Sequence, residues 1–393
     1  MRRTLESNIW KYYLFKILST ALFAAPIIVL FYQENGLSLT EIMILQSIFS
    51  ITIVFLEIPT GYFADRFGRK FSLTLGAIST TLGVIVYSIG NAFFIFVLAD
   101  IFWGMGKSLI SGADSAILYD TLKKLNKTHL FKKISGNALA LTMIAYSIID
   151  IIGGFIAEID LRLTLIMSVP VVALSIPLAL SIREPKITKK IISKNHLKEI
   201  IQTTKYALVK KKRVRWLILY SSLLSVATIL GFWLYQPYLK SIGLGILWFG
   251  FVYAGMNVIG AFGSKFSHDI ESILGEKISI ILPIVLLVSG NLIMGIFGSL
   301  IMAIISIILI QFSRGFQQPI MNHYINKIIP SNRRATILSI KQIGGRLAFA
   351  TFSPFIGWFA DVYTLQQAIL LSGLTILIMG SVLFFFMRRD KII

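Results

Sequence analysis

Long apolar stretches follow one another along most of this chain, separated by short polar or glycine-bearing breaks. A helix crosses the hydrocarbon core of a bilayer with about 20 mostly apolar residues, so each stretch is long enough for one crossing. This pattern predicts twelve transmembrane helices, at about 12–32, 39–63, 71–89, 93–119, 131–157, 161–182, 216–239, 244–266, 277–297, 299–325, 336–360 and 364–387. Two of the breaks are very short, Gly90-Asn91-Ala92 and Phe297-Gly298-Ser299. Both supply turn residues, and an unbroken span of about 40 residues would be far too long for one crossing.

The longest polar stretch runs from Arg183 to Arg215 and holds Lys189-Lys190 and Lys210-Lys211-Lys212-Arg213. Six predicted spans precede it and six follow. The expected organisation is an N-terminal six-helix bundle over 1–182, a basic cytoplasmic linker over 183–215 and a C-terminal six-helix bundle over 216–393, arranged around a central pathway. Between His196 and Val209, apolar Leu197, Ile200, Ile201 and Tyr206 alternate with Lys and Glu, which predicts an amphipathic surface helix. The halves correspond weakly: Gly61-Tyr62-Phe63-Ala64-Asp65-Arg66 ends the second span, and Gly260-Ala261-Phe262-Gly263-Ser264-Lys265 ends the eighth, with the acid lost.

Composition agrees with a polytopic membrane protein. The chain is 56% hydrophobic and 14% charged, against about 25% charged residues in soluble domains. Cysteine is absent, which removes thiol catalysis, cysteine-ligated zinc and iron–sulfur clusters. The four histidines show no metal-ligand spacing: His129, His196 and His268 lie in or near loops and His323 ends span ten. No phosphate-binding Gly-x-x-x-x-Gly-Lys-Ser/Thr loop is present, so the expectation is neither an ATPase nor any other enzyme.

The net charge of +20 alone would suit a polyanion partner. Its placement gives another reading. With both termini cytoplasmic, Arg162 and Lys240 fall outside, and Lys16, Lys107, Arg314 and Arg346 fall within spans. About 32 of the 38 Lys and Arg then fall on the cytoplasmic side, as the positive-inside rule expects. The charge orients the chain and meets anionic lipid headgroups. Membrane lipids are therefore expected partners and nucleic acid is not. The first span is too long for a cleavable signal peptide and has no small-residue cleavage site. The expected location is the cytoplasmic (inner) membrane, multi-pass, as a monomer.

The loop after the second span reads Gly61-Tyr62-Phe63-Ala64-Asp65-Arg66-Phe67-Gly68-Arg69-Lys70. Gly61 would admit a closely packed helix, Gly68 permits a tight turn, and Asp65 can cap a helix or pair with a guanidinium. A basic anchor with a turn would need neither Asp65 nor this spacing. Here the chain resembles the major facilitator superfamily, whose loop between spans two and three has the pattern G-x-x-x-D-R-x-G-R-K, with every position matched. The resemblance implies that fold and a gating role. In the family this loop is a latch whose acid and arginines bridge neighbouring helices in the outward-open state. That role passes to Gly61, Asp65, Arg66, Gly68 and Arg69, with Asp120 as a partner for Arg66 or Arg69.

Glu57-Ile58-Pro59-Thr60-Gly61, and Ser111-Gly112-Ala113-Asp114-Ser115-Ala116 with Tyr119-Asp120, resemble the bacterial drug or multidrug efflux branch. Two departures stand beside this. Asp100 occupies the place, four residues before Gly104-Met105-Gly106, where the family often has Arg. Span five ends Gly153-Gly154 without the Gly-Pro of the antiporter pattern.

Ionisable groups within spans are costly and mark cavities or partners. Asp100, Lys107 and Asp114 recur every seven residues in span four, near one face with Trp103 and Ser111. In the family this span lines the central cavity. Asp100 and Lys107 lie about 10 Å apart along the axis, too far for a direct pair without long side-chain reach. The proton affinity of a carboxyl depends on burial and on nearby cations. One that is switched between surroundings therefore takes up and releases a proton. Asp100 and Asp150 are the candidates for proton coupling, with Glu41 nearer the outer rim. Glu57 and Asp114 belong rather to the gating network. Lys16 can snorkel to the interface and needs no function.

In the second half Arg314, beside Gln311, Gln317 and Gln318, and Arg346 lie near mid-membrane. Either they hold an anionic substrate together with Lys107, or they balance Asp100, Asp114 and Asp150. Ser225 and Trp233 of span seven and Asn257 of span eight complete the substrate-cavity candidates. The expected function is secondary active transport by alternating access, proton-coupled, exporting amphipathic small molecules or drugs. No cofactor is expected; the proton gradient supplies the energy. The alternatives are uptake or exchange of a small organic anion, and lipid translocation or membrane sensing on the same scaffold.

Overall fold

The computed structural model describes residues 2–185, 202–330, 333–390 and 392. Residues 196–201 of the amphipathic segment predicted for 196–209, with His196, lie outside them, and 202–205 are helical. Its described end is one π-helical turn, Tyr206–Lys210. Among the described residues there are helices and no strands.

The chain divides into two compact units, Met1–Lys189 with Gly245–Gly255, and Lys190–Leu244 with Met256–Ile393. The first holds α1 (Arg2–Leu18), α2 (Ile28–Glu34), α3 (Leu39–Phe67), α4 (Arg69–Ile89), α5 (Phe93–Ile110), α6 (Ala113–Lys124), α7 (Phe131–Ile159), α8 (Leu161–Ala173) and α9 (Ser175–Ser181). The second holds α10 (Lys212–Ser241), the second half of α11 (Ile246–Lys265), α12 (Ser267–Ile296), α13 (Leu300–Ile328), α14 (Arg334–Val362) and α15 (Leu365–Arg389). The opening of α11 groups with the first unit.

Among the described residues, ten helical stretches are long and apolar enough to cross a membrane. α5 with α6, and α8 with α9, each count as one crossing. The spans predicted at 12–32 and 336–360 are not among the ten. The second is the continuous helix α14, whose apolar run is diluted by Lys341, Arg346 and Asp361. The first is broken: α1 stops at Leu18, and turns run through Pro26 before α2 begins. Proline has no N–H to donate and restricts the residue before it. Inside a membrane the freed backbone groups need partners. Phe23 N–H finds one in Ser168 Oγ of α8, at 2.9 Å.

Small residues set the helix contacts, as expected where lipid removes most of the hydrophobic drive. α4 and α5 meet through Gly76 and Gly106: a Cβ on Gly76 would lie 3.1 Å from the Gly106 carbonyl. In the second unit Gly315 of α13 abuts the Gly260 carbonyl of α11. The two ends of the first unit are chemically distinct. At one, Arg162 donates to the carbonyls of Ser88 (2.9 Å) and Gly90 (2.8 Å) and to Asn35 Oδ1 (2.7 Å). At the other, Asn8 bonds Thr121 Oγ1 (3.0 Å) and the Arg183 carbonyl (2.8 Å), and Lys11 reaches the Ser181 carbonyl (2.7 Å).

In the second unit, Asp390 accepts from Trp216 Nε1 (2.8 Å) and Lys212 Nζ (3.4 Å), and Arg213 pairs with Glu276 (2.6 Å). At the far end of α10, Tyr238 donates to the Phe297 carbonyl (2.8 Å).

Candidate functional site

The motif loop is a sharp joint. α3 ends at Phe67 and α4 begins at Arg69, because Gly68 takes φ +107°, a conformation that side chains rarely adopt. The space beside it is also taken: a Cβ on Gly68 would lie 2.8 Å from the Glu184 carboxylate. That carboxylate accepts from the backbone N–H of Arg69 (2.6 Å) and of Lys70 (3.4 Å). It therefore caps the start of α4, where free N–H groups and the helix dipole favour an anion.

The Arg69 guanidinium pairs with Asp120 and also donates to the Ala116 carbonyl at 3.0 Å. Asp120 thus belongs to Arg69. Arg66 turns elsewhere, to Tyr62 OH (3.2 Å) and over the Phe67 ring. Asp65 is exposed, and no ion pair joins it to another described residue. The close approach expected at Gly61 is absent: a Cβ there would meet open space.

The carboxyls of the first unit separate by their surroundings. Glu41 closes a capping box on α3: Ser38 N–H donates to its carboxylate (2.9 Å) while Glu41 N–H donates to Ser38 Oγ (3.2 Å). This is a structural use of Glu41 at the start of α3. Asp114, at the start of α6, pairs with Lys16 at 2.9 Å. The joint before it is Gly112, at φ +77°. Lys16 is thus a partner of Asp114 and not a lone snorkelling cation.

Asp100 of α5 is almost fully buried, at 1% exposure. Tyr87 of α4 donates to Asp100 Oδ1, while Oδ2 has no hydrogen bond among the described residues. Tyr32 of α2 and Phe96 close the nest, their rings 6.3 Å and 6.5 Å from that of Tyr87. The face expected to join Asp100 to Trp103, Lys107 and Ser111 is therefore uneven. Lys107 is half-buried with its ammonium 4.8 Å above the Trp103 ring, and Ser111 is exposed. Asp150 of α7 is also buried, where Gly250 of α11 comes against its backbone carbonyl.

A cavity of about 270 Å³ opens in the second unit. Ser221, Ser225, Thr228 and Ile229 line it from α10, and Arg314, Gln317, Gln318, Met321 and Asn322 from α13. Both sets recur at three- and four-residue intervals, one face of each helix. Leu338, Lys341 and Gln342 come from α14. Ser225, Arg314 and Gln317 thus line one cavity. Trp233, Asn257 and Arg346 are not in its wall; all three are half-buried elsewhere. Lys341 is the residue sequence reasoning passes over. It is half-buried and donates to Asn322 Oδ1 at 2.6 Å. Among the described residues, no Asp or Glu lines the cavity. Among the described residues no cluster of three or more His, Asp or Glu is placed to hold a metal ion.

Comparison with known proteins completes the assignment. The chain is 23% identical over 330 residues to the uncharacterized MFS-type transporter YxaM of Bacillus subtilis, covering 81% of this chain and 80% of that one. It is 21% identical over 138 residues to the quinolone resistance protein NorA of Staphylococcus aureus, spanning 34% of that relative's length. A solved structure of a substituted nucleoside transporter NupG shares the fold, with TM-score 0.83 at 12% identity over 97% of this chain and 99% of that one. A bacterial homologue of the human lysosomal transporter Spinster gives TM-score 0.72 at 17% identity over 98% and 96%. The profile described as Major Facilitator Superfamily matches residues 12–345. The chain belongs to the Major Facilitator Superfamily and is a multi-pass membrane transporter.

Proposed function

We propose that this transporter works by alternating access and exports amphipathic small molecules in exchange for protons. In this reading two six-helix halves joined by the basic linker move about a site near the membrane midplane. The chain acts as a monomer in the cytoplasmic membrane, with both termini inside and no cofactor but the proton gradient. The 138-residue similarity to a quinolone resistance protein supports export. The loop at Gly68, with the Arg69–Asp120 pair and the Glu184 cap, is the latch, and Asp65 is its free acid.

The observation that carries proton coupling is Asp100. It is a buried carboxyl in a spanning helix, bonded through one oxygen to Tyr87. Polar groups are retained in such surroundings at a cost, which function justifies. A carboxyl whose exposure changes as the halves move exchanges its proton between the two sides. Asp150 is the second candidate.

Purified protein in liposomes with an imposed pH gradient tests this. Gradient-driven movement of amphipathic dyes should collapse with a protonophore. Asp100→Asn should abolish the gradient-driven component while leaving dye exchange down its own gradient. Gradient-driven transport that survives Asp100→Asn would remove Asp100 from the coupling step.

A further inference from the structure

The cavity between α10, α13 and α14 has an unusual charge balance. Arg314 and Lys341 bring two positive charges to its wall, and no Asp or Glu is among the described residues that line it. Lys341 spends one proton on the neutral Asn322 carbonyl and keeps two for another acceptor. The guanidinium of Arg314 donates to the neutral Gln311 Oε1 at 3.1 Å. Two more polar groups on the same wall are idle. Ser221 Oγ and Gln317 Oε1 have no hydrogen-bond partner among the described residues, although their residues are only 5% and 8% exposed. Buried polar groups are seldom left unsatisfied, and those that are point to a missing partner.

The rest of the wall is mixed. Leu338, Ile229 and Met321 are apolar, and Thr228, Gln318 and Gln342 carry neutral polar groups. A wall of this kind suits a ligand with an apolar body and one anionic group. We infer that this cavity is an anion subsite, in which Lys341 and Arg314 take the carboxylate of an amphipathic small molecule. Arg supplies a planar fork and Lys a point charge, both suited to a carboxylate. Ser221 adds a hydroxyl donor. The inference rests on the reading of the chain as a transporter of amphipathic compounds and narrows its substrate class.

Three dansyl compounds share one fluorophore and differ in charge: dansylglycine is anionic, dansylamide neutral and dansylcadaverine cationic. Their binding to the full chain in phosphatidylcholine nanodiscs is read from dansyl fluorescence at neutral pH. Dansylglycine should bind about tenfold more tightly than dansylamide, as hydrogen bonds to a charged group allow, and dansylcadaverine more weakly than either. That ratio should fall towards one in Lys341→Gln and in Arg314→Gln, and should persist in Lys341→Arg, which keeps the charge.

Equal binding of the three compounds would overturn the subsite, as would no binding at all or an anion preference that survives Lys341→Gln. A lipid headgroup is the competing anion. If nanodiscs containing phosphatidylglycerol displace dansylglycine from the wild type, the cavity takes lipid and the small-molecule assignment fails. The liposome assay is independent of this one. Anion preference at Lys341 without gradient-driven flux would sink proton-driven export and leave the subsite standing, and the reverse result would do the opposite.

Discussion

Glu41 and Asp100 are both acids in apolar spans, yet their neighbours give them different work. Glu41 completes a capping box with Ser38, and glutamine serves that motif as well as glutamate. Glu41→Gln should therefore keep both stability and gradient-driven transport, whereas Ser38→Ala should lower stability by about 1 kcal/mol. Loss of gradient-driven dye movement in Glu41→Gln would return that acid to the coupling step. The pattern S-x-x-E at Ser38–Glu41 is visible in the sequence, so this use was legible there. Lys341 was legible too. It lies inside the predicted span 336–360 and meets the same criterion as Arg314 and Arg346, but in the charge tally it counts as a cytoplasmic cation and drops from view. Glu184 is different. It sits at the start of the polar stretch among many charges, and its role arises only because the chain brings it back 115 residues to the N–H of Arg69. No local pattern encodes such a return.

At the scale of elements, hydrophobic periodicity and glycine placement predict most helices, because a bilayer fixes their length. They do not predict the break between α1 and α2. Residues 19–27 are as apolar as a continuous span, and only tertiary partners such as Ser168 make an unwound stretch tolerable there. Glycines are likewise ambiguous until packing is known, and α11 shows this within one helix. A Cβ on Gly250 would run into the backbone of Asp150 and lie 3.0 Å from Ile151 Cα, while one on Gly255 would meet nothing within 4 Å. Glu158 of α7 also accepts from Leu247 N–H at 3.0 Å, fixing the start of α11 against α7. Gly250→Val should therefore lower the thermal unfolding temperature, with overpacking costing about 1–3 kcal/mol. Gly255→Ala should leave it unchanged or slightly raised, since alanine favours helix. Equal effects at the two positions, read by melting in detergent, would refute the α7–α11 contact.

For the whole molecule, charge and hydrogen bonding each predict which ends share a side of the membrane. Within the first unit, Arg162 ties the loops near Asn35 and Gly90 together at one end of α4. The Arg69–Asp120 pair and the Glu184 cap gather at its other end, with Lys11, Lys70 and Arg183 nearby in sequence or contact. Within the second unit, Lys212 and Arg213 pair with Asp390 and Glu276 at one end of α10. Basic residues so placed favour the cytoplasmic side in each unit separately. The chain has no cysteine, so single cysteines can be introduced without removing any. Asn91, Ser241, His129 and Arg388 are all exposed. In right-side-out spheroplasts a membrane-impermeant maleimide should label Asn91→Cys and Ser241→Cys. It should reach His129→Cys and Arg388→Cys only after permeabilisation. Full inversion of that pattern would mean that the basic ends do not orient the chain. Inversion of one pair alone would mean an odd number of crossings between the units. Since 12–32 and 336–360 are the two predicted spans not among the ten apolar stretches, the labelling result at Arg388 bears directly on whether α14 crosses. A helix that carries Lys341 and Arg346 crosses only if those cations face a cavity or a partner, and the wall at Lys341 provides one.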